Sequence, residues 1–182
     1  LEYALESWIT HDYLDWFTIG AWKCRLHRAG HMPGAAMIEI ETPTHRILWS
    51  GDLDTRDSPN TIGAKPIECD ILCLEATYGG KIHPDRAEEE SRFASTVKKI
   101  VKRGGVALIP AFASGRGQDI LRILYREAPH LNVHYDGMGT RLTRKWFENP
   151  EHIKDVEDFE KVWKWTRKVS SKSDRKKALQ AD

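Results

Sequence analysis

The chain has 182 residues, 40% of them hydrophobic, with 28 Lys and Arg against 27 Asp and Glu and a formal net charge of +1. That is enough apolar material for a real core in one large domain or two small ones, so a globular protein is expected. The balanced total argues neither for nor against a polyanionic partner, and any basic surface has to be local.

No stretch approaches the ~18 apolar residues of a membrane span, and no signal-peptide succession is present. A cytosolic, that is cytoplasmic, protein with no membrane partner is expected. Cys24, Cys69 and Cys73 form no even framework, and the last two lie in an apolar run where they read as small hydrophobes. The chain opens on Leu1 and closes inside a basic, helix-like segment, and it is expected to be part of a longer polypeptide.

Residues 1–28 are aromatic-rich (Tyr3, Trp8, Tyr13, Trp16, Phe17, Trp22) and predict strand-like pieces with Gly20 as the turn. Met37 to Glu41 alternates apolar and acidic, Thr42-Pro43-Thr44 turns, and His45 to Trp49 is apolar again, which predicts a hairpin ended by Ser50-Gly51-Asp52. Residues 53–68 carry loop chemistry. Cys69 to Leu74 predicts a strand buried on both faces, ending at Glu75.

Asp85 followed by Glu88 is a capping-box pattern. Phe93, Val97, Ile100 and Val101 share one helical face, basic residues crowd the end, and Gly104 stops the helix. Val106 to Ile109 reads as a buried strand, Ser114-Gly-Arg-Gly opens a helix bearing Ile120, Leu121 and Leu124, and Leu131 to Tyr135 reads as another strand. That alternation predicts a parallel sheet. From Glu157 on the chain looks helical and holds eight Lys/Arg between Lys161 and Lys177, a solvated face on the plain reading or a nucleic-acid contact on the other.

Three polar residues share a position type. His31 precedes a strand, Asp52 follows one and Glu75 ends one, each near glycine. Strand ends gather at one rim, so the three can converge there, and an imidazole with two carboxylates suits a divalent metal of the zinc class. Singly each is weak, because Gly-Asp after a strand is most often a turn. Pro110-Ala-Phe-Ala-Ser-Gly-Arg-Gly is a strand-loop-helix stretch in which Ser114, Gly115 and Arg116 could cradle a phosphate or simply cap and pack the helix. It lacks the P-loop spacing.

In order and spacing, AGHMPGAAMIEIE, ILWSGDLD, DILCLEATYGG, ALIPAFASGRGQDIL and HYDGMGTRLT resemble the metallo-β-lactamase-fold nucleases of the β-CASP group, over about residues 25 to 145. The resemblance implies an α/β protein: part of an αββα sandwich over 1–79, then a β-CASP-like α/β domain with a parallel sheet over 80–182. It implies that His31 and Asp52 are ligands of a two-zinc centre, with Asp52 bridging the ions, and that Glu75 supports proton transfer. The Ser114-Gly115-Arg116 loop matches a segment near the RNA path. RNA, or single-stranded DNA, is the implied partner, a homodimer is admitted, and exonuclease and endonuclease action both stay open.

The family's main zinc motif, His-x-His-x-Asp-His, does not occur here. His11, His27, His45, His83, His130, His134 and His152 are isolated and do not replace it. The implied function is therefore a metal-dependent RNA nuclease whose 182 residues alone are inactive and bind metal weakly. A catalytically dead RNA-binding or scaffold subunit is the alternative, and retention of His31, Asp52 and Glu75 speaks against it. A small-molecule hydrolase of the superfamily is disfavoured by the Glu75-Ala-Thr-Tyr-Gly and Ser114-Gly115-Arg116 stretches.

Overall fold

Period-two alternation in the first part of the chain does what it predicts. In the computed structural model, which describes residues 7–180, five strands form one sheet: β1 (Trp16–Ile19), β2 (Trp22–Arg28), β3 (Ala36–Glu41), β4 (Arg46–Trp49) and β5 (Ile71–Cys73). They lie in the order β1-β2-β3-β4-β5, antiparallel except for the parallel β4–β5 pair. Tyr3, named above among the opening aromatics, lies outside the described residues. Gly20, at φ +60°, makes the two-residue turn between Ile19 and its partner Trp22. Thr42 closes the β3–β4 turn, its N–H donating to the His45 carbonyl and its Oγ1 accepting from the His45 N–H, each at 2.9 Å.

The chain divides into two compact units. The first takes the chain up to Asp57 together with Ile62–Thr77, and the second takes Ser58–Thr61 and the chain from Tyr78.

Inside the first unit, register sets Arg25 opposite Glu39 and Glu39 opposite Leu48, so these share a face with His27 and Met37. Met37 and Leu48 pack there with Ala29, Ala64, Leu53, Ile67 and Cys69. Glu39 is completely buried on that face. Arg25 donates to Glu39 Oε2 from Nε at 3.0 Å and from Nη2 at 2.8 Å, His27 Nε2 lies 2.6 Å from the same oxygen, and Arg46 Nε lies 3.4 Å from Oε1. Burial alone would push the Glu39 carboxyl up, but hydrogen bonds from His27 and Arg25, helped by the Arg25 charge, hold it below the usual carboxylate range.

The strand at Cys69–Leu74 shortens to β5 and is not buried on both faces: Ile71 is 44% and Leu72 51% exposed. It is an edge strand, pairing with β4 alone among the described residues, and Asp70 leaves the apolar run by accepting from the Arg46 N–H at 2.7 Å.

The second unit is mainly helical: α1 (Arg86–Lys102), α2 (Arg116–Glu127), α3 (Met138–Phe147), a single 3-10 turn at Pro150–His152, α4 (Val156–Trp165) and α5 (Lys172–Ala178). The Asp85 carboxylate accepts from the Glu88 N–H at 3.0 Å, and Gly104, at φ +78°, ends the first helix. Residues 106–109 form no strand. Val106 is 44% and Leu108 86% exposed, because this extended run meets no partner strand among the described residues. The strand foreseen over 131–135 narrows to β6 (His134–Tyr135), which pairs in parallel with β7 (Arg167–Lys168). An apolar run in sequence shows hydrophobicity, but a strand also needs a neighbour to receive its hydrogen bonds.

Helix α2 organises this unit. Leu121 joins Trp146, Ile153, Phe159 and Val162 in one core cluster, while Leu124 joins Val97, Ala128 and Leu131 in another. Its polar residues hold the Ser58–Thr61 segment: Asn60 Nδ2 donates to Asp119 at 2.8 Å, and buried Arg122 donates to the carbonyls of Pro59 at 2.5 Å, Lys154 at 2.7 Å and Asp155 at 2.9 Å. Burial pushes the Asp119 carboxyl up, against the pull of Asn60 and Arg86. Among the described residues no helix is long and apolar enough to cross a membrane.

Removing the Glu39 carboxylate strands Arg25 and His27 in a desolvated site, so Glu39→Ala should cost about 3–5 kcal/mol in chemical denaturation. Because the folded Glu39 pKa is depressed, its contribution is present above the unfolded carboxylate range and lost as pH falls through the lower folded value. Wild-type stability should drop in that acid window by more than the stability of Glu39→Gln. Parallel pH profiles for the two proteins would remove Glu39 as the cause.

Candidate active site

The loop carrying His31 exists because nothing larger than hydrogen fits at position 30. Gly30 sits at φ +72°, and a Cβ there would strike the Asp54 carbonyl oxygen and come within 2.7 Å of Ala64 N. The close approach lets Gly30 pair with Leu53 in an antiparallel bridge, while Asp54 N–H donates to the Ala29 carbonyl at 2.9 Å. Ala29 N–H to Ala35 O at 2.9 Å and Ala35 N–H to Met32 O at 3.0 Å close the loop into β3, with His31 exposed upon it.

Asp52 leaves β4 through Ser50 and Gly51, the latter at φ +53°, and its side chain is exposed. Ser50 is buried. Its hydroxyl donates to the Gly51 carbonyl at 2.7 Å and accepts from the Glu75 N–H at 2.9 Å, tying the end of β4 to the end of β5.

Glu75 completes the arrangement, accepting the Leu53 N–H at Oε1 (3.2 Å) and the Thr77 N–H at Oε2 (3.0 Å). Hydrogen bonds from Thr77, its amide first and then its hydroxyl, followed by the Leu53 amide and more weakly by His31, hold its carboxyl below the usual range, so it is ionised at neutral pH. The backbone at 52–54 thus links the His31 loop on one side and the Glu75 carboxylate on the other.

An imidazole and carboxylates suit a borderline divalent cation. Among the described residues no three His, Cys, Asp or Glu side chains are placed to hold one. His31 and Asp52 are two candidate ligands, and a zinc centre needs at least three from protein.

Ser114, Gly115 and Arg116 belong to the second unit. The first residue capping α2 is Gly115, at φ +85°, in place of Ser114, and the backbone turns through Arg116 N–H to Ser114 O at 3.2 Å and Asp119 N–H to Gly115 O at 3.0 Å. The Arg116 side chain is 65% exposed, its Nη1 3.6 Å from Asp119 Oδ2. The following glycine has a packing purpose: a Cβ on Gly117 or on Gly139, in the first turn of α3, would strike the Tyr135 hydroxyl. Of these residues Ser50 and Tyr135 escape sequence reasoning. Ser50 reads as turn chemistry until its hydroxyl is seen joining two strand ends.

The result is a mixed α/β chain whose strand ends carry an imidazole, an exposed carboxylate and an ionised, amide-held carboxylate. No protein-family model matches the chain. It is 38% identical over 182 residues to a protein of Methanocaldococcus jannaschii named probable RNase MJ4, a match covering 97% of this chain and 42% of that one. It is 29% identical over 183 residues to RNase aCSPSF2 of Saccharolobus solfataricus, covering 88% and 37%. It is 46% identical over 126 residues to cleavage and polyadenylation specificity factor 73 of Drosophila melanogaster, covering 68% and 18%. The chain belongs to the metallo-β-lactamase-fold nucleases of the β-CASP group. It spans about two fifths of the length of the two archaeal relatives.

Gly30→Ala should destabilise the fold by roughly 2 kcal/mol or more, through both the left-handed backbone and the collision with backbone atoms, and should broaden the NMR signals of His31 and Leu53. Gly34→Ala, at φ +86° but with open space around it, tests the clash separately and should cost less. Equal losses would show that the close approach at position 30 carries no extra energy.

Proposed function

We propose that the protein containing this chain is a metal-dependent nuclease that hydrolyses RNA phosphodiester bonds. The observation that carries the reading is the linked set in the first unit: the His31 loop bridged through Gly30 to Leu53, Asp52 beside it, and the Leu53 amide held by the Glu75 carboxylate. The names of the relatives, two of them RNases and one a cleavage and polyadenylation specificity factor, support RNA as the substrate class.

His31 and Asp52 are the residues of this chain that would hold metal, with further ligands from other parts of the protein. Zinc, as a pair of ions, matches the imidazole and carboxylate donors. Bound there, the metal supplies a water of lowered pKa and neutralises charge on the phosphate.

The chain's own residues do the rest. Glu75, already ionised and oriented by two backbone amides, accepts a proton during attack and returns it to the leaving oxygen. Ser50 fixes Glu75 by accepting its backbone N–H, so the carboxylate does not have to be ordered when RNA arrives. In the second unit, the exposed Arg116 guanidinium at the Ser114-Gly115 helix start offers a charged, forked contact to a backbone phosphate.

Cleavage of labelled RNA by the complete protein tests this directly. Asp52→Ala should abolish cleavage, Glu75→Gln should lower kcat by about 10²–10⁴ with little change in RNA affinity, and chelation should stop the wild type until zinc is restored. Full activity in Asp52→Ala would falsify the assignment. On the same grounds the 182 residues alone, with two ligands, should show no submicromolar zinc binding in calorimetry.

A further inference from the structure

The positive charge of this chain is concentrated in one segment. Between Lys161 and Lys177 there are eight Lys/Arg and one acid, Asp174, a local excess of +7 in a chain whose total is +1, so the remainder sums to −6. The fold gathers part of that segment around a concavity of ≈340 Å³ in the second unit, where the paired strand ends β6 and β7 bring His134, Arg167 and Lys168 beside Lys177 of α5 and Gln180. Among the described residues of its lining, Asp174 is the one acid.

The charges there are differently employed. Asp174 is occupied in the cap of its own helix, where one carboxylate oxygen accepts the Ser170 N–H and Oγ–H and the Ser171 N–H; the Ser171 hydroxyl first, and then these bonds, draw its pKa down to about 2. Lys168 is anchored by its Nζ donating to the Trp163 carbonyl at 2.6 Å and to the Thr166 carbonyl at 3.0 Å, and it lies 4.6 Å over the Trp163 ring. Two of its three N–H groups are thus used. Burial and the neighbouring charge of Arg144 lower its pKa, a like-charge pressure that an anion in the cleft would relieve. Arg167 and Lys177 are exposed. Arg175 nearby is already neutralised by Asp136, at 2.5 and 3.1 Å.

We propose that this cleft, formed by Arg167, Lys168, Lys177 and His134, binds the phosphodiester backbone of a single RNA strand through residues other than His31, Asp52 and Glu75. The inference rests on the RNA reading for its choice of polyanion. The volume is that of a small-ligand pocket, with room for a short length of single strand but not for a duplex. Exposed Lys and Arg heads around one anchored ammonium suit a backbone that is gripped by charge and not read by sequence.

Fluorescence anisotropy with an unstructured, end-labelled RNA decides the matter, using the complete protein carrying Asp52→Ala so that the probe survives. Adding Arg167→Glu with Lys177→Glu should weaken binding about tenfold or more near 0.1 M salt. It should also flatten the slope of log K against log salt by about 1.4, two single-strand contacts at ~0.7 each. Arg167→Gln with Lys177→Gln should give a smaller loss of the same kind, and it serves if charge reversal disturbs folding.

Lys161→Glu with Lys164→Glu makes the same charge change outside the cleft and should leave affinity and slope nearly unchanged. An unaltered slope in both cleft variants, an equal loss in the Lys161/Lys164 control, or equally good competition by polyglutamate, which would indicate an acidic protein partner, overturns the proposal. Failure of the nuclease reading looks different: the protein with Asp52 intact leaves RNA uncut while the cleft variants still lose binding.

Discussion

Position 30 tolerates no side chain, and the first unit is arranged around that restriction. With a bare Cα there, the chain before β3 comes against the chain after β4, and the bridge to Leu53 follows. Leu53 is then fixed twice, by its pairing with Gly30 and by its amide on Glu75. Side chains from three distant stretches are positioned by backbone contacts, and His31 and Asp52 remain exposed. Rigid main chain beneath exposed side chains is what a site needs if it is to be ordered before its ligand arrives.

Both units are also held by buried charge with its partners supplied. In the first, Glu39 is enclosed by Arg25, His27 and Arg46 on the sheet face that also carries Met37 and Leu48. In the second, Asp119 and Arg122 on α2 meet the side chain and carbonyls of the 59–60 segment and the start of α4. Such groups are costly when orphaned and tolerated when paired with opposite charge or hydrogen-bonded, which makes them strict about register and angle. A slip of one residue in β3 would send Glu39 to the other face and bring Ile38 or Ile40 among the cations.

These contrasts explain which features are legible in the amino-acid order alone. The β3–β4 hairpin and α1 are, because their signals are local: alternation about a Thr-Pro-Thr turn, and an acidic start, basic end and terminal glycine. Val106–Ile109 is not, since an apolar run is equally compatible with a strand and with an extended segment whose neighbour is absent. Glu39 is invisible for a related reason: an acid in an alternating strand looks like a solvent-facing residue, and only Arg25 and His27 across the register reveal that it faces inward. His27, set aside as an isolated histidine, is in fact engaged with that carboxylate. At the candidate centre the residue types and their strand-end positions are legible. The Ser50 hydroxyl and the Leu53 amide are not, because one is a common turn residue and the other acts through its backbone.

The Ser58–Thr61 segment has a topological consequence. The chain passes between the two units three times, after Asp57, after Thr61 and after Thr77, so neither is a continuous stretch of sequence. Cutting the polypeptide at a single point to isolate the helical unit would remove the Asn60 amide from Asp119 and the Pro59 carbonyl from Arg122, leaving a buried acid and a buried base short of partners. During synthesis those four residues emerge long before α2, which supplies Asp119 to Asn60 and Arg122 to Pro59. The protein is therefore sewn together in its primary structure, and the segment 58–61 is the stitch.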